Sequence, residues 1–241
     1  MGKGGRVLQF TSENVFKELQ HIQEARGKKV FAKPWHSFLL LTSVIQNTDR
    51  SEQIRILEKL LEVTATKYQQ IRVLLGLVSA RFDYNASVTS HMPIELWVAA
   101  QKEVDQLIDI LATDSQYSVE EVTPEYDELA ERAPDHEPDK IVRIRGSIIS
   151  FVDRLDDEFT KSLQNIDPHG TEYVGRLKYE KYLYTTITRA QSYYGNSKIH
   201  GDSLTRVIMR RLEHIYSKVC GSNTLLNEIG SSYTFHSPTL S

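Results

Sequence analysis

The chain has 241 residues, of which 40% are apolar and 25% are charged, values that are ordinary for a globular protein. Its net charge of −3 and isoelectric point near 6.3 give no general attraction to nucleic acid, which requires clustered Lys and Arg. Cys220 is the single cysteine, which excludes an intrachain disulfide and a thiolate metal site and favours a reducing compartment. No apolar run reaches the roughly 18–20 residues of a membrane span, so we expect a cytoplasmic protein without membrane contact.

The first part of the chain, residues 1–112, is predicted to be a helical region. Ser12 is a good N-cap for a first helix, and a second helix is expected to begin at Asp49 or Ser51. A third helix follows, and Pro93 occupies the first turn of a fourth, where its missing N–H costs little. Apolar residues recur at helical spacing in all four segments: Val15, Phe16, Leu19, Ile22; Ile54, Leu57, Leu60, Leu61; Tyr68, Ile71, Leu74, Leu75, Val78; and Leu96, Trp97, Val104, Leu107, Ile108, Leu111.

Residues 113–140 differ sharply in composition from what precedes them. Acidic residues outnumber Arg132 and Lys140, and three prolines are interspersed, which is typical of a solvated linker. A docking site for a basic partner is the alternative. The residues concerned are Glu120, Glu121, Glu125, Asp127, Glu128, Glu131, Asp135, Glu137 and Asp139, with Pro124, Pro134 and Pro138.

Residues 141–218 are predicted to form a second helical region. A long amphipathic helix is expected from Ile141 to Leu163, and Asp167 and Pro168 should follow its end because proline disfavours a helical residue before it. Thr171 is a plausible N-cap for a second helix, which makes the pair an αα-hairpin. The apolar positions are Ile141, Ile144, Ile148, Phe151, Val152, Leu155, Phe159 and Leu163, then Tyr173, Val174, Leu177, Leu183, Ile187 and Ala190.

A final helix is expected from Asp202 to Lys218, before an irregular tail over residues 219–241. Leu204, Val207, Ile208, Leu212, Ile215 and Tyr216 fall on one face of this helix, and arginines fall on the opposite face. The predicted fold class is therefore all-α, a helical-repeat or α-solenoid-like array of antiparallel helix pairs with an acidic linker.

The aspartates at positions 153, 156 and 157 are the only group that suggests metal chemistry. Their spacing places Asp153, Asp156 and Asp157 on neighbouring positions of one helix, where they could hold Mg²⁺. A metal-dependent all-α enzyme would need a second acidic motif on a facing helix, and the sequence offers none of comparable quality. Nucleotide-binding, zinc-binding and activated-nucleophile motifs are also missing from the sequence. We therefore predict no catalytic residue, cofactor or metal, and a binding or scaffolding role.

The charged faces of the predicted helices are the candidate interaction surface. The arginines of the last helix could contact RNA, although such a face is more often simply solvated. The candidate residues are Arg145, Asp153, Arg154, Asp156, Asp157, Lys161, Arg206, Arg210 and Arg211.

The wording of the sequence resembles the c-subunit family of eukaryotic translation initiation factor 3, in a fungal-type version. The segments that carry the resemblance are RVLQFTSENVFKELQHIQEARGKK, NTDRSEQIRILEKLLEV, SARFDYNASVTSHMPIELW and RIRGSIISFVDRLDDEFTKSLQNIDPHGTEYVGRLKYE, in this order. They cover most of residues 5–218. The resemblance implies the central helical region of a non-enzymatic subunit, truncated before the PCI domain that follows in the family, and without the family's acidic N-terminal tail.

The resemblance also implies a function and partners. The family organises a multisubunit factor on the small ribosomal subunit and contacts the factor's a and b subunits and other initiation factors, so we expect a scaffold role with possible ribosomal RNA contact. A generic adaptor of the proteasome-lid or signalosome type is a further alternative.

The similarity to the family is interrupted by residues 30–46, VFAKPWHSFLLLTSVIQ. In the family sequences, GKK is followed directly by NTDR. We interpret this segment as a retained intron translated in frame, because a Val codon begins GT and one Gln codon is CAG. The tail from Val219 is interpreted in the same way. An ordinary hydrophobic helix or loop insert is the alternative for residues 30–46.

Overall fold

The computed structural model describes residues 15–19, 22, 39–84, 91–123, 141–197, 199 and 201–216. Residues 15–19 and 22 are helical, and Val15, Leu19 and Ile22 are buried, as the periodicity of the predicted first helix requires. Residues 30–38, most of the predicted linker and the tail after Tyr216 lie outside the described residues. No helix within the described ranges is long and apolar enough to cross a membrane.

The first long helix, α1, spans Leu39–Glu62. Its predicted start at Asp49 or Ser51 was wrong, because the helix continues through the apolar stretch that precedes Asp49. No proline or glycine interrupts residues 39–48, so helix propagation meets no barrier there. Part of the suspected insert, residues 39–46, is therefore helical, which agrees with the alternative of an ordinary helical insert but does not test the intron interpretation.

Helix α2, Lys67–Tyr84, is buried on two faces and thereby joins two hydrophobic cores. Its N-terminus is capped by Thr66, whose hydroxyl accepts from the Gln69 N–H at 3.2 Å. One face packs with α1 and the first helical segment, and the other contributes to the main core. The first core contains Val15, Leu19, Ile22, Ile54, Leu57, Leu60, Val73, Leu77 and Ala80.

Helix α3 spans Ile94–Thr113 and lies at the centre of the main core. Pro93 is its N-cap, one position before the predicted first turn. The Trp97 ring is 2% exposed, and its Nε1–H donates to the Leu155 carbonyl at 2.9 Å. This hydrogen bond satisfies the polar end of a large apolar side chain and fixes α3 against the predicted hairpin.

A short parallel β-sheet corrects two predictions. Strand β1, Tyr117–Glu120, lies in the predicted linker and pairs with β2, Val142–Arg145, where a helix was expected. Val142 and Ile144 of β2 are buried while Arg143 and Arg145 are exposed, the alternation of a strand with one buried face. Four residues are too few to show this period clearly. In addition, Ile141, Ile144 and Ile148 also fit a helical stripe, which explains the wrong assignment.

Helix α4, Ile148–Gln164, begins where the strand ends. Ser147 is its N-cap and accepts from the Ser150 N–H at 3.2 Å. The Ile149 N–H donates to the Tyr194 hydroxyl at 3.2 Å, and the Val119 N–H donates to the Tyr193 hydroxyl at 3.3 Å. Two adjacent tyrosines thus hold both the strand pair and the start of α4 against the helix that carries them.

The second arm of the predicted hairpin is divided into two helices. Helix α5 spans Thr171–Leu177, with Gly170 rather than Thr171 as its cap, and α6 spans Glu180–Asn196. The chain turns at Tyr179, whose N–H donates to the Arg176 carbonyl at 3.0 Å and whose ring packs edge-on against Trp97 at 6.3 Å. The continuous apolar stripe predicted here is therefore broken, and Val174 is 58% exposed.

The last described helix, α7, spans Ser203–Tyr216 and packs against α4 and α6. The all-α class and the array of neighbouring helices are confirmed within the described residues, apart from the two short strands. The main core includes buried residues of α2, α3, both strands, α4, α6 and Val207 of α7.

Candidate interaction surface

The acidic face of α4 meets the basic face of α7. Asp153, Asp156 and Asp157 lie on the side of α4 against which α7 packs, and Arg206 and Arg210 of α7 point at them. We refer to these residues, together with His214 and Glu180, as the ion-pair cluster. The structure thus brings together five residues of the predicted surface, but it pairs them with each other.

Arg210 is the centre of the ion-pair cluster. Its Nε donates to Asp153 Oδ1 at 2.8 Å, its Nη1 lies 3.3 Å from Asp156 Oδ2, and its Nη2 lies 3.2 Å from Asp157 Oδ1. The planar guanidinium can engage several carboxylates at once because its donors diverge in fixed directions. Arg206 adds a 2.8 Å hydrogen bond from Nη2 to the second oxygen of Asp153.

His214 extends the ion-pair cluster to a third helix. Its Nε2 lies 3.0 Å from Asp156 Oδ1, and its Nδ1 lies 3.8 Å from Glu180 Oε1 at the start of α6. Asp156 is only 5% exposed, so its carboxylate depends on the contacts from Arg210 and His214. The cluster consequently fixes α7 against both α4 and α6.

The electrostatics of the ion-pair cluster favour the charged arginines. Burial lowers the pKa of Arg210, but the hydrogen bond to Asp153 and the charges of Asp153, Asp156 and Asp157 outweigh it and leave that pKa raised. Burial likewise lowers the pKa of Arg206, and Asp153 with Glu121 outweighs it, so this pKa is also raised. Both side chains therefore remain cationic partners of the α4 carboxylates throughout the physiological range.

The remaining candidate basic residues lie outside the ion-pair cluster. Arg154 and Lys161 flank the buried Glu158 at 3.6 and 3.9 Å. Arg211 donates to the Tyr184 hydroxyl at 3.2 Å and to Gln191 Oε1 at 2.9 Å. Arg145 is exposed on strand β2, not on a helix face as predicted.

Glu158 is a buried carboxylate that joins α4 to the start of α3, a structural role that the sequence did not reveal. It is 5% exposed, and one oxygen accepts from the Met92 N–H at 2.9 Å, just before α3 begins. Its position on α4 gave no sign of this role, because the contact joins residues 66 positions apart in the sequence. Glu180 and His214 were missed for the same reason. The spacing of acids on α4 and basic residues on α7 could have indicated the contact of His214 with Asp156, but not the roles of Glu158 and Glu180.

The metal-site alternative finds no support in this geometry. The three aspartates are engaged by Arg210, and in the part of the chain that the structure describes no group of three or more His, Cys, Asp or Glu side chains is arranged to hold a metal ion. An open cleft of about 390 Å³ lies beside the cluster. Its walls carry both charge signs, from Asp156, Asp157, Thr160, Lys161, Gln164, Arg210, Glu213 and His214.

The fold and the ion-pair cluster together define an array of helices in which interhelical polar pairs fix the packing. Comparison with known proteins assigns the chain to a family. The family model described as "Eukaryotic translation initiation factor 3 subunit 8 N-terminus" matches residues 6–237. This range includes the suspected insert and most of the tail. The chain belongs to this family, which confirms the resemblance seen in the sequence.

Individual relatives agree with the family match. Proteins named as the C subunit of eukaryotic translation initiation factor 3 are similar to the chain: 51% identical over 219 residues in Mycosarcoma maydis, 45% over 234 in Pyricularia oryzae and 43% over 235 in Aspergillus terreus. These alignments cover 90%, 95% and 95% of the chain, but only 22%, 25% and 25% of the relatives. The chain thus spans about a quarter of the length of the relatives it matches.

Proposed function

We propose that this chain is a non-catalytic scaffold portion of a translation initiation factor 3 subunit. It supports assembly of the factor, and of the pre-initiation complex, on the small ribosomal subunit in the cytoplasm. The observation that carries the proposal is the family match over residues 6–237. The helical array agrees with it, since stacked helices can offer extended surfaces for binding. The expected partners are the a and b subunits of the factor, the small ribosomal subunit and other initiation factors.

The candidate surface contributes to this function through the side chains that still reach solvent. The side chain of Arg154 is 46% exposed, and Arg145 is exposed on β2. In contrast, Asp156 and Arg210 are held within the ion-pair cluster. We therefore propose that the exposed rim contacts a partner, while the cluster holds α7 in place and keeps that rim in shape.

The test is retention of the chain by separately purified a and b subunits of a fungal factor. We expect retention by at least one subunit, and weaker retention of an Arg145→Glu/Arg154→Glu variant, whose exposed positive charges are reversed. Lys102→Glu, a charge change at an exposed site on α3, is the matched control and should bind normally. Circular dichroism must show native helix content for each variant. A folded chain that neither subunit retains would contradict the proposal.

Contact with ribosomal RNA is tested separately on the purified small subunit. Binding through phosphates weakens steeply with salt because counterions are released, whereas protein-mediated binding is less sensitive. The net charge of −3 leads us to expect weak salt dependence. A steep loss of binding between low and physiological salt would instead assign the contact to RNA.

A further inference from the structure

Helix α7 leaves an apolar strip exposed on one side, while Val207 is buried and Leu204 packs against the main core on another. Arg206, Arg210 and His214 face α4 and α6, whereas Met209, Leu212 and Tyr216 are 53%, 51% and 87% exposed. The sequence predicted the opposite orientation for the arginines, Leu212 and Tyr216. An amphipathic helix normally buries its apolar stripe. Since Val207 and Leu204 already pack inward, the exposed apolar residues mark a second packing face of α7.

The exposed residues form one line along the helix. Met209, Leu212 and Tyr216 are spaced i, i+3 and i+7, so they lie on one side over two turns. Thr205, also exposed, continues this side toward the helix start. We call these four residues the outer stripe of α7.

The chemistry of the outer stripe selects an apolar partner. None of its members is charged, so it lacks the cations that neutralise a phosphate backbone. The anchor spacing is that of a helix that packs against another helix. On the inner side, Val207 is buried and Leu204 packs against the main core, whereas Met209, Leu212 and Tyr216 stay exposed among the described residues.

We propose that the outer stripe of α7 docks an amphipathic helix from the region of the full-length subunit that follows the matched segment. The chain covers 22–25% of its relatives, and its family is defined as the N-terminus of the subunit. In these relatives a long stretch lies outside the matched segment, and α7 is the last described helix of an array in which each helix packs on its neighbours. This surface is internal to the subunit and goes beyond the proposed contacts with other subunits.

Cysteine labelling tests the proposal in this chain and in a full-length relative. In a Cys220→Ser background, Leu212→Cys is expected to react rapidly with a water-soluble maleimide, because the site is half exposed. Cysteine at the aligned position of the full-length Mycosarcoma maydis protein should react at least ~10-fold more slowly, since a docked helix must open first. Lys102→Cys on α3 and its aligned position are the matched control and should label at similar rates in both proteins.

The alternatives give different results. Equal labelling of position 212 in the chain and in the full-length subunit would overturn the proposal. Protection in this chain that grows with its concentration would assign the stripe to a second copy and also overturn it. Protection of the full-length subunit that appears only after the a or b subunit is added would do the same. Native helix content of each variant, measured by circular dichroism, shows that labelling reports the folded state.

Discussion

Arg210 and Asp153 join the last described helix to α4 through a hydrogen bond of 2.8 Å from Nε to Oδ1. The same guanidinium reaches Asp156 and Asp157, so one side chain contacts all three carboxylates of the acidic face that the sequence placed in solvent. This contact explains why α7 packs with its arginines inward, and it leaves the outer stripe of α7 for another partner.

Removal of Arg210 should destabilise the attachment of α7. Arg210→Ala leaves the buried Asp156 with His214 alone among these cluster partners, and we expect the free energy of unfolding to fall by about 1–3 kcal/mol. Arg154→Ala is the matched control, because Arg154 is half exposed and lies 3.6 Å from Glu158, and it should cost no more than about 0.5 kcal/mol. Urea denaturation measures both values. Equal losses for the two variants would show that the cluster contributes nothing special.

Loss of the α4 cap should weaken the start of that helix. Ser147→Ala removes the acceptor of the Ser150 N–H, and the expected loss of stability is about 0.5–2 kcal/mol. The effect should also appear as faster hydrogen exchange at Ser150. Ser192→Ala, at an exposed interior position of α6, is the control and should be neutral or slightly stabilising. An unchanged exchange rate in Ser147→Ala would exclude the capping role.

Tyr194 should make the fold sensitive to alkali. Burial, countered in part by the hydrogen bond from Ile149, raises the pKa of Tyr194 to about 12 from its usual 10. The unfolded chain therefore loses this proton first, and the contribution is complete below pH 10 and is lost as pH rises through 12. The shift corresponds to roughly 2–3 kcal/mol.

A phenylalanine variant isolates this contribution. Tyr194→Phe should be less stable than the native chain at pH 8 because the buried Ile149 N–H loses its acceptor, by about 1–3 kcal/mol. It cannot ionise, so the difference between the two proteins should narrow as pH rises from 10 to 12. Urea denaturation at a series of pH values measures the difference. A gap that stays constant with pH would contradict ionisation of Tyr194.

The intron interpretation of residues 30–46 predicts a specific transcript. We expect the mature message to pass directly from the codon of Lys29 to that of Asn47. Sequencing of the spliced message measures this, and a mature message that still encodes Val30 to Gln46 would exclude the interpretation. The helix over residues 39–62 does not decide the matter, because an apolar in-frame segment can extend a neighbouring helix whatever its origin.

The positions of most helices could be predicted from the sequence. The short strands and the division between α5 and α6 could not. Periodic apolar residues located α2, α3 and α4, and Asp167 and Pro168 follow the end of α4 at Gln164. The strand at Val142–Arg145 was missed because its four residues are stabilised by Tyr117–Glu120 from a distant part of the chain. The division between α5 and α6 was missed because it depends on the packing of Tyr179 against Trp97.

The sequence by itself determined the family, the all-α class and the positions of the apolar and charged faces, because these follow from residue order and local periodicity. Only the tertiary structure decided that the side of α7 that carries Arg206 and Arg210 also packs inward, beside the buried Val207. This packing depends on Asp153, Asp156 and Asp157, which lie some fifty positions earlier and meet the arginines only when α4 and α7 come together. Pairing between distant charges is a property of the folded chain, since it requires partners that local sequence does not specify.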